Sequence, residues 1–197
     1  GVQTCALPIS TRMGRCGSDP QRPILVVSNC SNQDQYKRTL LNFNRQEFNP
    51  RKLLVVYENA IDVDANILFC KPIDFLKTWG GIQTQFDSVA VFNPGWYYGS
   101  FYLTDLAHGF KYTDFQAVTK LAYWDDNETD LKIQNQGLQY RKSLSCLPTR
   151  SLLKTKNFNA ENPEGCIDID CVSIDAYNLC SRFDLTQSQI AKVEAHG

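Results

Sequence analysis

The stretch SVAVFNPGWYYGSFYL, Ser88 to Leu103, passes from a β-branched apolar run through a turn into an aromatic-rich helix start. Ser88–Phe92 is short and almost continuously apolar, the pattern of a strand buried on both faces. Asn93-Pro94-Gly95 is turn chemistry. Beyond it, Tyr102, Leu106 and Phe110 recur at i, i+4 and i+8, the apolar stripe of an amphipathic helix. A buried strand that leads through a turn into a helix is half of a parallel-sheet unit. The stretch therefore predicts an α/β layout.

The flanking sequence repeats the pattern. Upstream, Ile24–Ser28, Lys52–Tyr57 and Ile67–Cys70 read as buried strands. Between the first two, Tyr36, Leu40, Phe43 and Phe48 fall near one helical face, with Ser31 or Asn32 as the cap and Pro50 at the exit. The segment IDFLKTWGGIQTQF predicts a helix weakened by Gly80-Gly81. Downstream, Phe115–Trp124 reads as a fifth strand. After Trp124 the periodicity fades into a polar loop, a short segment at Ser143–Cys146, and Cys166–Arg182. Strand–helix alternation with apolar strands predicts a largely parallel sheet covered on both faces, whose ligands bind beyond the carboxyl ends of the strands. The loops Ser28–Gln33, Glu58–Asn66 and Asn93–Gly99 lie there.

Composition narrows the function classes. The chain has 197 residues, 43% hydrophobic and 21% charged, enough to bury a real core. Its net charge of −1 provides no basic field for nucleic acid, and no apolar run is long enough for a membrane span. Of eight cysteines no pair has C-x-x-C spacing, and there are only two histidines, so a zinc site has little support. Buried free thiols in a reducing cytoplasm are the expected state. Residues 1–10, GVQTCALPIS, look like translated sequencing-adapter read-through, and the polar, Gly-rich residues up to 20 read as unstructured. The expected domain spans 21–183, with 184–197 as a tail.

From Arg22 to Arg182 the chain resembles bacterial family 2 glycosyltransferases of GT-A fold. The similarity lies in the strand and polar loop at Ser28-Asn29, Asn44-Arg45-Gln46, LLVVYEN, the closing VSIDAYNLCSR and, most specifically, Tyr97–Tyr123. There Tyr97-Tyr98-Gly99, Tyr102-Leu103, Phe110-Lys111-Tyr112-Thr113 and Lys120 fall in register. The resemblance implies a three-layer α/β sandwich with a mostly parallel central sheet. It also implies transfer of a sugar from a nucleotide diphosphate donor to a glycan or other hydroxyl acceptor. By the same resemblance Ser28, Asn29, Glu58 and Asn59 hold base and ribose, and Asn93, Trp96, Tyr97, Tyr98, Lys120 and Arg182 line the cleft. A carboxylate near the end of the domain would deprotonate the acceptor, which places Asp168 and Asp170 as catalytic candidates, with Glu161 and Glu164 behind them.

The family's Asp-x-Asp turn holds magnesium or manganese on the diphosphate, because a hard cation on carboxylate oxygens offsets the charge of the leaving group. Aligned on Tyr-Tyr-Gly, those positions are Asn93, Pro94, Gly95 and Trp96, without a carboxylate. No metal cofactor is expected. Asp62-Val63-Asp64 and Asp125-Asp126 read as loop carboxylates. Two readings follow. One is a degenerate domain with weak or no metal-dependent transfer, acting in binding beside a neighbouring transferase domain or subunit. The other is an active, metal-independent transferase that uses Lys or Arg against the diphosphate. An unrelated nucleotide-binding α/β domain is a third reading.

Overall fold

The computed structural model describes residues 22–61, 63–126 and 131–195. Its first half alternates strand and helix: β1 (Ile24–Cys30), α1 (Gln33–Asn44), β2 (Arg51–Tyr57), β3 (Ile67–Cys70), α2 (Phe75–Ile82) and β4 (Ser88–Val91). Asn32 caps α1: its Oδ1 accepts from Gln35 N at 2.9 Å, while Ser31 N donates to Gln35 Oε1 at 2.7 Å. The reciprocal pair satisfies backbone donors that a helix start leaves open. Beyond the turn come β5 (Tyr97–Tyr98), α3 (Tyr102–Phe110), β6 (Ala117–Thr119), β7 (Tyr123–Asp126) and β8 (Leu131–Gln134). They are followed by β9 (Lys142–Ser143), β10 (Ser151–Lys154), β11 (Cys171–Ser173), β12 (Leu179–Cys180) and α4 (Gln187–Glu194).

Among the described residues the strands form two sheets, ordered β3-β2-β1-β4-β10-β6-β11-β9 and β5-β12-β7-β8. In the larger sheet β3, β2, β1, β4, β6 and β11 run one way, and only β10 and β9 oppose them. Side-chain alternation divides the core into two layers. Ile24, Val26, Leu53, Val55, Ala90 and Leu152 pack toward α1 and α3; Leu25, Val27, Leu54, Val56, Val89 and Leu153 pack toward α2. The fold is therefore the expected α/β three-layer sandwich with a mainly parallel sheet.

Three elements differ from expectation. The fifth strand is not continuous: residues 117–119 stay in the large sheet and residues 123–126 join the small one. The break falls at Lys120, which is fully buried. A lysine at that depth must bring its ammonium to carboxylates. β10, only four residues long, carries no readable period, yet Leu152 and Leu153 are fully buried in mid-sheet. Residues 184–197, expected as a tail, contain α4. A Thr186–Gln189 capping box starts it, and its Val193 packs with Tyr97, Leu131 and Cys180. Cys30, Cys70, Cys146, Cys171 and Cys180 are buried and Cys166 is exposed, each outside any disulfide.

Candidate functional site

The carboxyl ends of β1, β2, β4, β6 and β11 share one sheet edge, and antiparallel β10 begins there. Asn93–Trp96 crosses the middle of that edge. The register of Leu152 with Ala90 sets Arg150, two residues before Leu152, opposite Phe92 and beside the turn.

The turn is closed by its own hydrogen bonds. Asn93 Oδ1 accepts from Gly95 N at 2.8 Å, and Trp96 N donates to Asn93 O at 3.0 Å. Asn42 of α1 donates from Nδ2 to Trp96 O at 2.9 Å. Trp96 stacks on Tyr123 with centroids 6.0 Å apart, and the Arg150 guanidinium lies over both rings, 5.1 Å from Trp96 and 3.9 Å from Tyr123. Asn93's one neutral oxygen is spent on Gly95, Pro94 is buried, and Gly95 and Trp96 offer no side-chain oxygen. These residues do not fit a magnesium or manganese ion, which wants carboxylates and would also meet like charge from Arg150. Among the described residues, no group of three or more His, Cys, Asp or Glu side chains is arranged to hold a metal ion.

Neither Tyr97 nor Tyr98 lines an open cleft. Tyr98 is fully buried, stacked on Phe92 at 4.1 Å; its hydroxyl accepts from Asn93 N at 2.9 Å and donates to Thr149 O at 3.0 Å. Tyr97 donates from its hydroxyl to Glu194 Oε1 at 2.8 Å under the Arg45 guanidinium. Burial pushes both phenols well above their usual range, so they act as neutral posts beneath the turn.

Lys120 does not face a cleft either. Its Nζ lies 2.7 Å from Asp175 Oδ1 and 3.3 Å from Asp105 Oδ2, which also accepts from Asn178 Nδ2 at 2.9 Å. The ammonium is thus neutralised inside the fold. Arg182 is exposed on the chain leaving β12.

The nucleotide candidates separate by depth. The Ser28 hydroxyl is buried, donating to Phe92 O at 2.8 Å and lying 2.9 Å from Thr39 Oγ1, so it pins the end of β1 rather than reaching outward. Asn29 is half-buried, and Glu58 and Asn59 are exposed at the end of β2; Asn59 Nδ2 donates to Tyr57 OH at 3.1 Å. These three stand at the same sheet edge as the turn. Asp168 and Asp170 do not. Both are exposed, and Gln116 N donates to Asp170 O just before β6 and β11 begin, which puts them at the amino-terminal edge of those strands. They lie on no strand; Ile167 and Ile169 pack toward the core while both aspartates face solvent. Glu161 and Glu164 sit in the same connection, where burial raises the Glu164 carboxyl. Asp62 lies outside the described residues. Asp64 Oδ1 accepts from Asn66 N, and Asp125 accepts from Gln134 Nε2 at 3.4 Å and from the Ser181 hydroxyl.

Two residues at the site escaped the sequence reading. Arg150 sits in a Pro-Thr-Arg turn with no periodicity to mark it. Asp175 follows β11, and its place beside Lys120 depends on Ile174 N donating to Thr119 O at 2.9 Å, a contact that requires the neighbour of β11 to be known.

No protein-family model matches the chain, and no curated protein does. The crystal structure of TarS 1–349 from S. aureus is similar, with a TM-score of 0.53 and 13% identity over 87% of this chain and 69% of that one. That likeness is one of fold: this chain shares the α/β sandwich with a mainly parallel central sheet, the GT-A arrangement. Among the described residues, no helix is long and apolar enough to cross a membrane.

Proposed function

We propose that this domain binds a nucleotide diphosphate or its sugar conjugate without a metal ion and has lost metal-dependent sugar transfer. The observation that carries this reading is the Asn93–Trp96 turn. Its one amide oxygen is committed to Gly95, and a guanidinium lies over its tryptophan. Asn29, Glu58 and Asn59 would meet base and ribose, with Ser28 holding the end of β1 in place.

The acid–base side supports the same conclusion. Asp168 and Asp170 stand at the far edge, and Asp175 is held by Lys120 and by Tyr177 N at 2.9 Å. That oxygen, Asp175 Oδ1, already accepts from the ammonium and a backbone N–H and is not free to take an incoming hydroxyl. With Lys120 committed to Asp105 and Asp175, and Arg182 out on the surface, neither cation supports the active, metal-independent alternative. A binding role beside an active transferase domain or subunit fits these features.

Calorimetric titration of uridine and guanosine diphosphates, with and without manganese, tests the reading. Binding of at least one, with an affinity that manganese leaves unchanged, is expected. Manganese-dependent binding overturns the reading of the turn, and absence of binding overturns the nucleotide site.

A second expectation concerns repair. The double substitution Asn93→Asp with Gly95→Asp restores two carboxylates, yet no sugar transfer or nucleotide-sugar hydrolysis is expected from it. A Cβ at Gly95 lies 3.2 Å from the side-chain oxygen at position 93, so the new carboxylates crowd each other. Arg150 beside them competes with any cation, and Asp175, the carboxylate that follows β11, is already held by Lys120. Nucleotide-sugar turnover by the double variant, measured as released nucleotide diphosphate, would sink this account.

A further inference from the structure

At Arg150 the polarity of the expected site is reversed. A metal-dependent turn is negative and recruits a cation, which in turn holds the diphosphate. Here the turn carries no charge and the fixed cation belongs to the protein. We propose that Arg150 is itself the diphosphate-binding group, taking the anion directly where a metal would otherwise bridge it; this rests on the nucleotide-binding reading above.

Four observations bear on it. The position is fixed by backbone: Arg150 N donates to Leu147 O at 3.0 Å, and Arg150 O accepts from Lys120 N at 2.8 Å. The side chain is oriented by ring contact, since the guanidinium carbon lies 3.9 Å from the Tyr123 centroid and 5.1 Å from that of Trp96. Such stacking fixes the plane of the guanidinium and leaves its edge to form hydrogen bonds. No carboxylate pairs with it among the described residues, in contrast to Lys120, and its Nε is buried without a hydrogen-bond partner. An unpaired donor of this kind is costly, and no protein acceptor repays that cost among the described residues. Finally, the charge is felt at the site's floor, where Arg150 opposes the upward push that burial gives the Tyr98 and Tyr102 phenols.

The chemistry favours a diphosphate. Guanidinium and phosphate meet through two parallel N–H···O bonds, and a planar fork held on aromatic rings loses little freedom on binding. The neutral turn adds no carboxylate to repel the anion. Lys120 cannot substitute, because its ammonium already serves two aspartates.

The test measures binding of inorganic pyrophosphate and of uridine and guanosine diphosphates to the full chain in chelator, for the wild type and for Arg150→Gln. A loss of about 10- to 100-fold is expected for each diphosphate the wild type binds. Arg150→Lys should recover part of it, since charge returns without the fork. In the wild type, pyrophosphate should protect Arg150 from phenylglyoxal, mapped by mass spectrometry, which needs no variant to fold. Equal affinity in Arg150→Gln, or equal modification of Arg150 with and without saturating pyrophosphate, overturns the assignment alone. Arg150-dependent pyrophosphate binding in a chain that ignores both nucleotides keeps the anion site and removes the nucleotide reading. A wild-type chain that binds none of the three overturns both.

Discussion

Replacing Lys120 with methionine is expected to destabilise the domain by about 3–5 kcal/mol, the usual cost of leaving a buried charge without its partner. The side chain is fully buried, and its two aspartates retain only 18% and 23% side-chain exposure. Methionine fills the volume but leaves Asp105 and Asp175 facing each other with no cation between them. The triple variant Lys120→Met, Asp105→Asn, Asp175→Asn should recover most of the loss. The new amide oxygens still accept from Asn178 Nδ2 and Tyr177 N, and no unpaired charge remains. Urea unfolding curves of the two variants measure the difference. A single variant within about 1 kcal/mol of the wild type would show that the cluster is hydrated rather than buried. That result would return Lys120 to the set of cations available to a ligand.

Gly99→Ala is expected to cost about 1–3 kcal/mol, the range for overpacking a close contact, and to loosen α4. The glycine is not there for a left-handed backbone, because no described glycine has positive φ. It is there for space. A Cβ at position 99 would lie 2.6 Å from Asn178 Oδ1, 3.0 Å from Asn178 Cα and 3.0 Å from Glu194 Oε1. Asn178 cannot retreat easily: it sits at φ 62° and its backbone is bonded to Gly99 N and to Val193 O, each at 2.9 Å. Glu194 is the acceptor for Tyr97 OH and Ser100 N, so displacing it frees the last helix. Hydrogen exchange should show α4 opening before the large sheet. An unfolding midpoint and an α4 protection both unchanged would refute the packing argument.

These two expectations mark where the Tyr-Tyr-Gly signature was informative and where it misled. The signature located the turn at the carboxyl-end edge of the sheet, because strand ends and turn residues are local features. It also suggested aromatic walls for a cleft, yet Tyr97 and Tyr98 are buried posts. An aromatic at a strand exit has the same sequence appearance whether it packs inward or outward. The carboxylates show the same limit. Asp168 and Asp170 are candidates by their place near the end of the domain, but they precede β11, which begins at Cys171, and so stand at the amino-terminal edge. Asp175, a few positions further on, ends beside Lys120. Nothing local distinguishes these aspartates, since the decisive fact is the pairing of β11 with β6.

By itself the sequence determined the α/β class, the parallel strands through β4, the helix stripes of α1 and α3, and the absence of carboxylates from the Asn93–Trp96 turn. Each follows from residue identity and short-range period, which the chain carries without reference to its neighbours. The tertiary structure alone decided which charges the site keeps. Lys120 is consumed by Asp105 and Asp175, while Arg150, unmarked in the sequence, is laid over Trp96 and Tyr123. The reason is that a charge is spent or available according to what packs against it. Strands β6, β10 and β11, too short to announce themselves, bring those partners from up to 73 positions apart (Lys120 Nζ with Asp105 and Asp175, Asp105 with Asn178).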